Sequence, residues 1–352
     1  MTGPAELRVG IVGLGAVGAR VARQLVSDPR VAQVVLREPR RIHLDLVVES
    51  LGPKTVIDSG TDNAPLDADV VVIAAHNGEH GALATVAVRA GQSVVSTTDN
   101  IDDVRALLSL DAEAREREVS VVVGAGFAPG LTCLLAAQAA RSFDAIDEIH
   151  VAKVGTGGPA CAREHHRALS RSALDWREGA FVRRPGGSGR ELCWFPDPVG
   201  AVDCYRAALP DALLLVPAFP GVRRVTARVA ATRRDRLTMR LPMLWPTHPE
   251  GGPGAVRVEV RGQRGEARDV VVLGAMDRAA VASGAVAAVA AQRVAEGAVR
   301  RRGAGGLAEL FSPGEVLTEL RQRGVRVAVF QGDLAGETTA ENGALDGADH
   351  TA

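Results

Sequence analysis

Up to residue 126 the chain alternates short β-branched runs with stretches whose apolar positions recur at helical spacing. Residues 7–12, 31–36, 70–75, 93–96 and 119–123 read as strands, with 54–58 as a further short one, and 16–27, 81–90 and 101–118 read as helices. A continuous apolar run such as 70–75 fits a strand buried on both faces, and strands alternating with helices imply βαβ units in a parallel sheet. The fold class predicted is α/β, with an N-terminal doubly wound Rossmann domain over 5–126. From Phe127 the pattern changes. A helix is predicted at 131–142, a strand at 148–154 and further strands at 225–230, 255–261 and 268–273, the last two joined as a hairpin through Gly262-Gln263-Arg264-Gly265. Residues 155–221, rich in Gly and Pro, show no clear period. These features predict a second, α+β domain over 127–275 for substrate binding and dimerisation. Asp277 is placed to cap a long Ala/Val helix reaching about Val299, followed by a helix at 315–323 and a strand at 325–330. That segment, 276–330, is expected to return to the first domain, and the small, polar, acidic tail 331–352 is expected to be disordered.

Composition narrows the function classes. Hydrophobic residues at 46% and charged residues at 24% are the profile of a soluble globular protein. Lys and Arg number 41 against 42 Asp and Glu, so there is no electrostatic case for nucleic acid or an anionic membrane as partner. The apolar stretch 279–292 falls short of the ~20 residues a membrane span needs. The first residues show no basic region followed by an apolar one, and a cytoplasmic location is expected. Cys133, Cys161, Cys193 and Cys204 form no C-x-x-C pair, so free thiols are expected; no H-E-x-x-H run is present either, and no metal is expected. Without a G-x-S-x-G elbow an α/β-hydrolase lacks its nucleophile.

The strongest motif is Gly13-Leu14-Gly15-Ala16-Val17-Gly18, a G-x-G-x-x-G run between a predicted strand and a predicted helix. Gly13 suits the tight turn, Gly15 lets a pyrophosphate approach the backbone, Gly18 lets the helix sit close to the sheet, and the helix N-terminus offers free N–H groups to the phosphates. At the end of the second strand Glu38 is placed to hold the ribose of NAD. Arg37, Arg40 and Arg41 around it suit the 2′-phosphate of NADP, and NADP is the expected cofactor, with NAD the alternative. Ala74, Ala75 and His76, at the exit of the fourth strand, are expected beside the cofactor, as is Thr97 after the fifth. His80 is expected on the first turn of the next helix.

Pro129-Gly130 is read as a helix start whose N–H groups can meet the cofactor or a carboxylate. Lys153 is singled out because Lys is almost absent from the chain and, unlike Arg, can give up its proton when buried. It precedes the loop 155–159, which leads to His165 and His166, and imidazole can move a proton near neutral pH. Lys153, His165, His166 and His76 are the candidate proton-exchanging groups. Arg163 and Arg167, one helical turn apart, are candidates for a substrate carboxylate.

Gly13–Gly18, the run 69–77, the return 90–96, Gly126-Phe127-Ala128-Pro129-Gly130-Leu131 and Trp194-Phe195-Pro196-Asp197-Pro198-Val199-Gly200 together resemble the saccharopine dehydrogenase-like group, which includes diaminopimelate dehydrogenase. The resemblance covers most of 7–330 in order. It implies an NAD(P)-dependent oxidoreductase that moves a hydride between nicotinamide and an imine or a keto/amino acid; a homodimer, paired through the second domain, is the expected assembly. Members usually carry an acid before Pro-Gly, where this chain has Ala128. The neighbouring sugar and polyol dehydrogenases, an alternative reading, usually have Glu-Lys-Pro where this chain has Thr97-Thr98-Asp99. A non-catalytic dinucleotide-binding protein is a third reading, and it predicts a fingerprint with no proton donor nearby.

Overall fold

The computed structural model describes residues 7–330 apart from 62, 244–247 and 250, so the predicted tail 331–352 lies outside the described residues. Six strands and five helices alternate through the first third: β1 (Leu7–Val12), α1 (Ala16–Val26), β2 (Val31–Arg37), α2 (Arg41–Leu51), β3 (Thr55–Ile57), β4 (Val70–Ile73), α3 (His80–Arg89), β5 (Ser93–Ser96), α4 (Ile101–Leu108), α5 (Asp111–Glu116) and β6 (Ser120–Val123). Every pairing among these strands is parallel. Crossover connections put helices on the faces of a parallel sheet, which is why β4, β5 and β6 are buried along their whole length.

The chain continues through α6 (Leu131–Ala140), β7 (Ala145–Val154), α7 (Pro159–Ser170), β8 (Ala173–Arg177), β9 (Ala180–Arg184), β10 (Glu191–Phe195), β11 (Gly200–Arg206), α8 (Asp211–Leu215), β12 (Arg224–Ala230), α9 (Arg233–Thr238), β13 (Pro253–Arg264) and β14 (Ala267–Arg278). It ends with α10 (Ala279–Ala295), β15 (Gly303–Gly306), α11 (Leu307–Leu310), α12 (Pro313–Gln322) and β16 (Arg326–Phe330). A second sheet runs β10-β11-β12-β7-β13-β14-β16, with β8 and β9 attached through β12. Its central strand β7 pairs in parallel with β12 and antiparallel with β13, so Lys153 near its end is fixed on both sides, opposite Val229 and Val256.

Several sequence expectations are corrected. The predicted helix 101–118 is two helices, α4 and α5, broken at Ser109-Leu110. The break lets the Asp111 carboxylate accept from Ala304 N at 2.8 Å and Arg301 Nη1 at 3.0 Å, partners far away in the chain. The hairpin strands run further than expected, with Arg264 facing Ala267, so the turn is Gly265-Glu266. Asp277 stays in β14 and takes the N–H of Arg278 at 2.6 Å; it does not cap α10. The segment 276–330 divides between the sheets: β15 pairs with β6 as the seventh parallel strand, while β16 pairs with β14 in the second sheet. The Ala-rich α10 lies tight against α1, since a Cβ at Gly284 would stand 2.6 Å from Arg20 Cβ. Among the described residues no helix is long and apolar enough to cross a membrane.

Candidate active site

The three glycines of the turn sit in three different surroundings. Gly13 has a φ of +90°, and a Cβ there would stand 2.6 Å from the Ala74 carbonyl oxygen. At Gly18 a Cβ would lie 1.9 Å from the Gly13 carbonyl oxygen, so α1 packs at backbone distance on the turn. Gly15 differs: a Cβ there would meet nothing within 4 Å, and the space it would enter is a cavity of about 780 Å³. Ala16 and Val17 also line that cavity and open α1, whose first-turn N–H groups have no preceding helical carbonyls. A narrow backbone cradle with an open side and a helix N-terminus fits a pyrophosphate.

At the edge of the cradle the acid and the arginines separate. The Glu38 carboxylate accepts from Leu14 N at 2.7 Å and from Arg40 N and Nε at 3.1 and 2.9 Å. Burial works against its charge, yet the Arg40 and Leu14 hydrogen bonds outweigh it and hold its pKa below the usual value. Only 1% of the Glu38 side chain is exposed, against 51% for Arg40, so the outward group is a guanidinium. Arg37 faces elsewhere. Its Nε lies 2.6 Å from Asp58 Oδ2 and its Nη1 donates to the Ala64 carbonyl at 2.7 Å, beside a separate small cleft. Arg41 begins α2.

The strand exits complete the cofactor side. Ala74, Ala75 and His76 line the cavity after β4. Thr97 lines it after β5, with Oγ1 donating to the Ile73 carbonyl at 3.2 Å. His80 begins α3 as expected, with its ring buried: Nδ1 is 2.8 Å from Ser96 Oγ and Nε2 is 3.2 Å from the Ala75 carbonyl oxygen. Burial pushes its pKa below the ordinary histidine value. Of the Pro-Gly turn, Ala128 reaches the cavity wall, while Pro129 backs it by packing within 2.7 Å of where a Gly124 Cβ would lie.

The opposite wall brings together Lys153, Asp99, His165 and Cys161. Lys153 is buried; its Nζ donates to the Ala128 carbonyl at 3.1 Å and lies 3.5 Å from Asp99 Oδ2. The same oxygen is 3.4 Å from His165 Nε2, which is in turn 3.6 Å from Cys161 Sγ. Burial disfavours the Asp99 carboxylate, but Lys153 and His165 overcome this and keep it well below the usual range. For His165, burial and Lys153 oppose protonation, while Cys161 and Asp99 outweigh them and raise its pKa to about 9. Burial pushes the Cys161 thiol up, and the facing His165 more than reverses that. His166 turns the other way, with Nε2 2.9 Å from the Leu241 carbonyl oxygen. Arg163 and Arg167, on α7, both line the cavity. Of the candidate proton-exchanging groups, the fold therefore brings Lys153, His165 and His76 to one cavity and leaves His166 outside.

Asp99 was missed by sequence reasoning. Its signal was its place just beyond β5, at the carboxyl edge of the sheet where α/β folds bind ligands.

No family model matches the chain, and no curated protein sequence matches it. Solved structures do. Apo histidine-tagged saccharopine dehydrogenase (L-Glu forming) from Saccharomyces cerevisiae superposes with a TM-score of 0.65 at 14% identity, over 92% of this chain and 100% of that one. Amine dehydrogenase from Mycobacterium smegmatis gives 0.50 at 13% identity, over 88% of this chain and 98% of that one. The chain thus has the saccharopine dehydrogenase-like fold, a seven-stranded parallel Rossmann-type sheet joined to a large mixed sheet. The expected family resemblance holds at the level of the fold.

Proposed function

We propose that the protein is an NADP-dependent oxidoreductase acting on a small carboxylate-bearing carbonyl compound or the corresponding imine. The observation that carries this reading is one cavity lined both by the open side of Gly15 and by buried Lys153 with its partner Asp99. A dinucleotide supplies or accepts a hydride when bound, so the chain itself must bind, orient and exchange a proton. Gly13, Gly15 and Gly18 would hold the pyrophosphate. Arg40, lying over the sequestered Glu38, would meet the 2′-phosphate; Arg37 is committed to Asp58. Arg163 and Arg167 would draw a substrate carboxylate to the mouth of the cavity. Lys153 would exchange the proton with the substrate heteroatom, held in place by the Ala128 carbonyl and by Asp99. A buried proton donor is what the non-catalytic reading does not provide for.

The test is a panel of keto acids with and without ammonia, amino acids and polyols, assayed with NADPH or NADP⁺ for absorbance change. Turnover of a carboxylate-bearing member that Lys153→Met abolishes is the expected result. Turnover of neutral polyols alone would move the assignment to the sugar dehydrogenases, and no NADPH or NADH binding by fluorescence titration would remove it.

A further inference from the structure

We propose that Asp99, Cys161 and His165 are three ligands of a zinc ion on the cavity wall, leaving a fourth position open to a substrate oxygen. Cys161 and His165 lie one turn apart on α7, so both project from the same helix face, and Asp99 comes to them from the loop beyond β5. Their ligating atoms all lie within 4.8 Å of one another. One thiolate, one imidazole and one carboxylate form a donor set suited to zinc and unsuited to magnesium or calcium, which take oxygen ligands.

The His165–Asp99 spacing is longer than a charge-assisted hydrogen bond and matches an edge of a metal site, while the His165–Cys161 spacing is one that an N–H···S hydrogen bond spans as well. Charge-assisted N–H···O bonds run at ~2.7–2.9 Å. Here His165 Nε2 stands 3.4 Å from Asp99 Oδ2 and 3.6 Å from Cys161 Sγ. A single ring nitrogen carries at most one proton and cannot point it at both. Tetrahedral zinc, with bonds of ~2.0–2.2 Å to N and O and ~2.3 Å to S, sets its N···O edge at ~3.4 Å and its N···S edge at ~3.6 Å. The opposing factor is the ammonium of Lys153 beside the same oxygen. Lys153 keeps the Ala128 carbonyl as an acceptor, so its hold on the wall does not depend on Asp99 alone.

All three ligands line the cavity that Gly15 opens onto. An ion there would polarise a carbonyl or hydroxyl oxygen as a Lewis acid. This part of the inference rests on the oxidoreductase reading, and it selects oxygen-bearing substrates, keto or hydroxy acids, over imines. Proton exchange would then fall to Lys153.

The experiment uses the full chain, stripped with a chelator, reloaded with Zn²⁺ or Co²⁺, desalted and analysed by plasma mass spectrometry and absorption. One ion per chain is expected, with the cobalt form showing a near-ultraviolet thiolate charge-transfer band and the intense visible bands of tetrahedral cobalt. Cys161→Ser and Asp99→Asn should each fall from one ion to none, and His166→Gln, outside the cluster, should keep it; circular dichroism shows which variants are folded, and two ligand variants guard against one that is not. Retention of less than one ion in ten chains, a cobalt spectrum without the thiolate band, or equal retention in both folded ligand variants would overturn the site. NADPH titration of the stripped protein separates the two readings, since dinucleotide binding without zinc sinks only the metal, and zinc binding without dinucleotide sinks only the oxidoreductase.

Discussion

Lys153 Nζ lies 3.5 Å from Asp99 Oδ2, although Lys153 is fixed in the central strand of the second sheet and Asp99 follows β5 of the first. The pair thus links the carboxyl edge of the first sheet to the second sheet inside the cavity, with Lys153 buried and Asp99 half-buried. Lys153→Met should lower kcat by roughly 10²–10⁴-fold, the usual contribution of a proton-transferring group, with NADPH affinity unchanged. Steady-state kinetics beside fluorescence titration decide it; a variant that keeps its rate and loses cofactor would assign Lys153 to binding.

Gly15 and Gly18 should separate binding from folding. Gly15 has a φ of −68° and open space beyond it, so Gly15→Val should fold normally and fail to bind dinucleotide. At Gly18 a Cβ would lie 1.9 Å from a backbone oxygen, so Gly18→Val should lower the melting temperature or prevent folding. Calorimetric titration and thermal melts of both variants check this, and normal cofactor affinity in folded Gly15→Val would count against the pyrophosphate cradle.

The two arginines flanking Glu38 should behave differently. Arg40→Ala should weaken NADPH by about 1.5–3 kcal/mol, some ten- to a hundredfold, and leave NADH nearly unchanged. Arg37→Ala should spare cofactor preference and cost on the order of 1–3 kcal/mol of stability, because it strips Asp58 of its partner. Parallel NADPH and NADH titrations with urea melts distinguish them; the reverse pattern would make Arg37 the phosphate ligand.

His80 predicts a loss of stability on the acid side. Its ring has a donor-acceptor pair of neighbours, Ala75 carbonyl and Ser96 hydroxyl, that suits the neutral form, and burial lowers its pKa. With the folded value below the unfolded value of about 6.5, its contribution is present above that pH and lost as pH falls. The melting temperature should therefore drop between about pH 6.5 and pH 5, before most carboxylates titrate, and His80→Gln should flatten that drop. His150, also lowered by burial, acts with the same sign, so part of the slope remains. An unchanged slope in the variant would show that His80 does not carry it.

The sequence by itself determined the parallel sheet and the glycine turn. Runs such as Val70–Ile73 and the spacing Gly13, Gly15, Gly18 encode local geometry, and local geometry is set by neighbours in the chain. It also marked Lys153 and His165, through residue type and their place beside one glycine-rich loop. Tertiary structure decided the rest. Gly303-Ala304-Gly305-Gly306 has no strand-forming side chains and becomes β15 only because β6 supplies its hydrogen bonds. Arg37 had the right position for a phosphate ligand, yet Asp58 and the Ala64 carbonyl turned it away. The grouping of Asp99 with Cys161 and His165 was invisible to spacing rules, because it joins the end of a strand in one sheet to a helix attached to the other. Where a side chain points, and what it meets across the chain, follows from how the two sheets pack.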